Sequence, residues 1–246
     1  MRNAFLALCA ILLASSLYAA DRAGFQLTVL VNDDLRPEYN ARGNVYVEAV
    51  RGSNYSLRIT NPTPYRVAVA LSVDGLNTID AKHSDPWTAS KWVLDPYEST
   101  VISGWQVSDS AARRFFFTGE RDSYGAALGQ TQNLGVIEAV FFRERPRRQA
   151  VVAPSEKSQR AEASTVTAQA PVAAAPSDDY AATGMGERTG HEVTSVNIDL
   201  DRQPVASIRI RYEFREQLVK LGVLRSTTPL DRRERARGFE QYCPQP

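Results

Sequence analysis

His83 and His191 are the two imidazoles in a chain of 246 residues, and neither stands beside a residue that would make it a general base. His83-Ser84-Asp85 has the letters of a hydrolase triad. Adjacent residues do not converge as nucleophile, base and orienting acid, however, because those groups come from separate elements. The chain has no Gly-x-Ser-x-Gly elbow and no phosphate-binding glycine loop; Gly184-Met185-Gly186 falls in a stretch that reads as linker, where it means flexibility. With 28 carboxylates some pair always lies at glycosidase distance, so paired acids carry no information. The expectation is a non-catalytic protein without a cofactor.

Metal and ligand chemistry has a little more to work with. A structural zinc site needs several Cys or His at ligand spacing, which this chain lacks. Asp74, Asn77, Asp80 and Asp85 cluster around a turn and offer hard oxygens of the kind calcium takes, but off the EF-hand spacing, and turns attract Asp and Asn anyway. Trp87, Trp92, Tyr97 and Trp105 would stack on sugar or grip a peptide if they formed a flat row; packing of core and loops explains the same residues. Phe115-Phe116-Phe117 puts rings on both faces of one strand, which is then covered on both sides or exposes a patch for a partner. Arg143, Arg145, Arg147 and Arg148, interrupted by Glu144 and Pro146, read as a solvated boundary. Asn54-Tyr55-Ser56 fits the N-glycosylation pattern, which matters only in a eukaryotic source.

The elements that must position these residues are strands. In residues 65–74, Tyr65, Val67, Val69, Leu71 and Val73 share one side of an extended chain and Arg66, Ala68, Ala70, Ser72 and Asp74 the other, after which Asp74-Gly75 offers a tight turn. Further strands are expected at 25–31, 45–50, 55–60, 91–94, 99–105, 114–118 and 136–143, with one helical turn at 123–128. Short strands with regular turn signals predict an all-β fold, a β-sandwich of jelly-roll or immunoglobulin-like type over residues 21–144. Residues 145–190 are rich in Ala, Ser and Pro and read as a disordered linker. Beyond it, 193–200 and 206–212 alternate as a β-hairpin, and Glu216 to Leu221 adds a short helix; residues 191–224 would dock on the sandwich or on a partner, followed by a polar tail, 225–246.

Residues 1–20 have the basic start, short apolar middle and small-residue end of a secretory signal peptide, with cleavage after Ala19 or Ala20. Removing them takes away Arg2 and no acid, which leaves 28 basic against 28 acidic side chains. Zero net charge argues against a nucleic-acid partner, and no later segment is apolar for long enough to be a transmembrane helix. Cys243 is then the one remaining thiol, so no intrachain disulfide forms.

Tyr55 to Asn61, Arg66 to Asp80, Lys91-Trp92-Val93-Leu94, Gly104-Trp105-Gln106, Arg113 to Thr118 and, near the end, Gly184 to Gly190 and Ile208 to Val223 resemble a group of uncharacterised exported proteins of Gram-negative bacteria. The resemblance implies an envelope setting, periplasmic or secreted, and no known activity, so no functional residue carries over. The expected function is an exported binding or scaffold module that engages an envelope protein partner through the sandwich surface or the tethered hairpin. The alternatives are a glycan-binding sandwich using Trp87, Trp92, Tyr97 or Trp105, and a hydrolase with an unrecognised site.

Overall fold

The computed structural model describes residues 20–22, 24–145 and 177–226. The expected signal peptide up to Ala19, residues 146–176 of the expected linker, the tail from 227, Cys9 and Cys243 lie outside the described residues. In chain order the strands are β1 (Ala20–Arg22), β2 (Phe25–Val31), β3 (Asp34–Leu35), β4 (Glu38–Ala41), β5 (Asn44–Ala49), β6 (Asn54–Thr60), β7 (Val67–Val73) and β8 (Leu76–Asn77). After a longer loop come β9 (Trp92–Leu94), β10 (Ser99–Ile102), β11 (Gly104–Ser108) and β12 (Ala111–Gly119). Helix α1 (Tyr124–Ala127), β13 (Val136–Arg143), β14 (Ala181–Gly190), β15 (Ala206–Phe214) and α2 (Arg215–Lys220) complete the described chain.

These strands form two open sheets that pack as a sandwich. The first contains β1, β2, β6, β12 and β11, with β3, β10 and β14 alongside; the second runs β4-β5-β15-β13-β7-β8, with β9 beside β7. All pairings are antiparallel except β5 with β15, which is parallel. The alternation in β7 sends Val67, Val69, Leu71 and Val73 into the core between the sheets, each contributing about 1.5–3 kcal/mol by burial. On the opposite face Ala70 joins a second, smaller apolar cluster with Ala89, Val140 and Phe142. Asp74 and Gly75 both take positive φ, 53° and 76°, as a two-residue hairpin turn requires.

One long edge of β12 pairs with β14, and its other edge is shared between β6, at Phe115 and Phe116, and β11. Strands β10 and β11 are therefore two halves of one bent strand wedged between β6 and β12. The bend is at Gly104, where a Cβ would collide with the Arg113 carbonyl. Because that obstacle is backbone, Gly104→Ala is expected to lower the unfolding free energy by about 1–3 kcal/mol, read by urea titration.

The C-terminal part differs most from expectation. Residues 181–190, expected as linker, are strand β14, and Gly184-Met185-Gly186 is not a flexible tract: a Cβ at Gly184 would overlap the Phe116 ring, and Gly186 lies against the Arg114 carbonyl. No hairpin forms, since 191–199 makes no strand and Leu200 makes only a single bridge, to Glu144. Strand β15 instead enters the middle of the second sheet, with β13 on one side and β5 on the other. Ile208, Ile210 and Tyr212 face the core. The alternation of β15 is visible in the sequence, but alternation fixes a face and not a partner.

Candidate functional site

Three of the four residues considered for calcium shape a loop that overhangs the outer face of the second sheet. Asn77 Oδ1 accepts the Ile79 N–H at 2.8 Å while its Nδ2 donates to the Ser90 carbonyl at 2.8 Å. Asp80 accepts the Lys82 N–H at 3.1 Å and the Ser90 hydroxyl at 2.8 Å, and Asp85 accepts the Trp87 N–H at 2.8 Å. Their oxygens serve separate turns, and no group of three metal-ligating side chains occurs among the described residues. The loop they pin carries Lys82 and His83. The His83 Nδ1 meets the Gly75 carbonyl at 3.0 Å, so Nδ1 holds the proton and donates. The His83 Nδ1 proton therefore goes to Gly75 and not to Asp85, whose Oδ1 accepts the Trp87 N–H.

Beneath this loop lies a groove of about 410 Å³, within the size range of ligand sites. Its floor is Ala70, Ser72 and Val140, its far wall Gln132 and Asn133, and its basic side Lys82, His83, Arg209 and Arg211. Arg209 is held by Glu138 at 2.7 Å, and the Arg211 Nε donates to the Asn44 Oδ1 at 3.2 Å. Neither Lys82 nor Arg211 has a carboxylate within ion-pair distance among the described residues. Two uncompensated cations over small and apolar floor residues favour an anionic group with a slim backbone behind it. Arg209 and Arg211 are legible in the sequence as one face of an alternating strand; that Lys82 meets them is not.

Asp74 is elsewhere occupied. It is buried, and its Oδ1 accepts the Gly135 N–H at 2.8 Å and the Tyr212 hydroxyl at 2.5 Å, while Oδ2 accepts the Thr183 N–H at 2.7 Å. The Thr183 hydroxyl lies 2.6 Å from Tyr212 and 2.7 Å from Tyr55. Burial pushes the Asp74 carboxyl up to about 7 against these hydrogen bonds, and raises both tyrosines well above their ordinary value. Glu213, raised by burial, accepts the Ala181 N–H at 3.1 Å. Asp74 and Glu213 thus close the outer edge of β14, whose N–H groups at 181 and 183 have no strand to pair with.

The aromatic residues do not form a row. Trp105 is buried, edge-on to Phe115 at 5.1 Å, with its Nε1 donating to the Gly184 carbonyl, so it is core and cannot stack on a sugar. Tyr97 is 69% exposed at the tip of the β9–β10 turn, and Trp87 is 40% exposed, edge-on to Phe142 at 5.5 Å. Phe115 and Phe117 fill the core while Phe116 covers Gly184.

Trp92 is half-buried, donates from Nε1 to the Thr78 hydroxyl at 2.9 Å, and packs against the His191 ring at 5.5 Å. It belongs to a second groove, of about 710 Å³, between β9–β10 and residues 191–200. No helix of the described residues is long and apolar enough to cross a membrane. Comparison with protein-family models, with curated proteins and with solved structures found no match.

Proposed function

We propose that this protein is an exported, non-catalytic binding module of the bacterial cell envelope, and that the groove on the outer face of its second sheet engages an anionic segment of a protein partner. The observation that carries the reading is the pair of uncompensated cations, Lys82 and Arg211, set over a groove whose one lining carboxylate, Glu138, is already bound to Arg209. Export rests on the N-terminal sequence, and the envelope setting on the resemblance. Arg211, positioned by Asn44, offers terminal guanidinium nitrogens for a two-point contact with a carboxylate. Lys82 adds a mobile point charge, and the His83 Nδ1 is tied to Gly75, which orients the ring over the groove. The small floor residues Ala70 and Ser72 let a main chain approach the sheet.

The test is titration of the protein with an end-blocked hexaglutamate peptide, followed by NMR shifts at 50 mM and 300 mM salt. Binding is expected at low salt, weakened several-fold at high salt because exposed charges are screened, and reduced more than tenfold by the double substitution Lys82→Glu and Arg211→Glu. Absence of binding at 50 mM salt, or binding indifferent to the double substitution, would overturn the proposal. Preference for an oligogalacturonate over the peptide would move the reading to a glycan-binding module.

A further inference from the structure

The second groove has a property that follows from hydrogen-bond valence alone. The Gln106 Nε2 lies 2.6 Å from the Ser108 carbonyl and 3.0 Å from the His191 carbonyl. Both are acceptors, which fixes that end of the amide as nitrogen and the other end as oxygen. The oxygen, Oε1, lies 2.7 Å from His191 Nδ1, so Nδ1 must carry the proton. Nε2 is then a bare acceptor, and no group among the described residues donates to it. Partial burial lowers the His191 pKa below its usual value, which keeps the ring in this neutral form at neutral pH.

The walls of the groove have unspent backbone capacity. Val193 N–H donates to the Asp109 carbonyl at 2.8 Å, and the Asp199 carbonyl accepts the Arg145 N–H at 2.7 Å. Between those two anchors, Thr194 to Ile198 make no backbone hydrogen bond to any described residue. Opposite them, β9 is an edge strand paired only with β7. Two stretches of unpaired main chain thus face a common slot floored by Trp92, with His191 at one end. The charges around it are mixed: Arg66 is paired with Asp95 and Glu144, Lys91 is held by the Trp87 and Ala89 carbonyls at 2.6 and 2.8 Å, and Glu98 and Glu192 complete the rim.

We infer that this slot binds an extended, uncharged peptide segment of a partner as an added strand between β9 and residues 194–198, with the His191 Nε2 accepting one of its backbone N–H groups. A strand beside an open edge is held by main-chain hydrogen bonds, with side-chain pockets giving selectivity at alternate positions. Five residues of strand span about 17 Å, so a hexapeptide suffices as a probe. The site shares only Ala89 with the lining of the basic groove and stands whether or not that groove binds anions.

The probe is Ac-Thr-Val-Thr-Val-Thr-Val-NH2, followed by Trp92 fluorescence and by NMR shifts of residues 92–94 and 194–198. Saturable binding is expected, weakened at least tenfold when the valine nitrogens or the threonine nitrogens are methylated. His191→Phe, which keeps a ring against Trp92 but has no acceptor, should weaken it several-fold. The Lys82→Glu, Arg211→Glu variant should bind the neutral peptide as the parent does. No binding, binding indifferent to both patterns of N-methylation, or shifts at the basic groove instead would overturn the inference. So would a slot that responds only to neutral oligosaccharides.

Discussion

Asp74→Ala is expected to lower the unfolding free energy by about 3–5 kcal/mol at pH 5, and by roughly 3 kcal/mol less at pH 8. The loss arises because the Gly135 and Thr183 N–H groups and the Tyr212 hydroxyl, all buried, lose their acceptor together, and a buried donor left unpaired costs about 1–3 kcal/mol. The pH dependence follows from the raised carboxyl. In the folded chain Asp74 titrates near 7 against an ordinary value of 3.8, so between these pH values the unfolded chain has released the proton and the folded chain has kept it. Its stabilising contribution is therefore complete below about pH 4, declines as pH rises, and levels off above about pH 7. At about 1.4 kcal/mol per unit, the interval from pH 5 to 7 accounts for the 3 kcal/mol difference.

The hydroxyls beside Asp74 make the protonated form possible. With the carboxylate ionised, Tyr55 donates to Thr183, Thr183 to Tyr212 and Tyr212 to Asp74, a single direction that satisfies every group in the chain. When Asp74 takes a proton on Oδ1, the direction reverses and Tyr212 accepts. Urea titrations of the parent and of Asp74→Ala at the two pH values decide the matter. A mutational cost that is the same at pH 5 and pH 8 would mean that the three donors hold the carboxylate ionised and outweigh its burial.

The second large effect concerns the C-terminal strands. A chain ending at Arg145 is expected not to fold at all, because it lacks both β14 and β15. Strand β15 alone buries Ala206, Ile208, Ile210, Tyr212 and Phe214, and at about 1.5–3 kcal/mol for each large side chain the loss reaches the whole stability of an ordinary domain, about 5–15 kcal/mol. Its removal also opens β5 and β13 to water along their full paired length. Circular dichroism and the cooperativity of urea unfolding read the outcome, and a peptide of residues 177–226 added in trans is expected to restore the native spectrum. A truncated chain that unfolds cooperatively by itself would show that residues 181–214 are an appendage.

The second expectation bears on what the sequence makes legible. Strands β2, β6, β7 and β13 are readable because each sends alternate apolar side chains into the core and is bounded by turn residues, and α1 because Ser123 caps it by accepting the Ala126 N–H at 3.0 Å. Strand β4 escapes such a reading although Arg42 and Gly43 form its turn, with φ of 52° and 73°, since Glu38 to Ala41 is four residues long and buries none of them. Strand β14 escapes it for a similar reason. Its sequence is small and glycine-rich because Phe116 and the β12 backbone approach closely, and close approach looks like flexibility when only composition is seen. Among site residues, turn-forming acids are recognisable as turn chemistry, whereas the meeting of Lys82 with Arg211 and of His191 with Gln106 depends on long-range pairing that no local pattern encodes.

Both proposed binding surfaces depend on the C-terminal segment being built into the two sheets, since β15 supplies Arg209 and Arg211 and residues 191–200 wall the second groove. Native-state hydrogen exchange tests this most directly. The amides of Ile210 and Arg211, which lie where β15 pairs on both sides, are expected to exchange only through global unfolding, with the same free energy as Val69 and Leu71 of β7. Exchange of Ile210 and Arg211 through a separate opening several kcal/mol below that of β7 would contradict it.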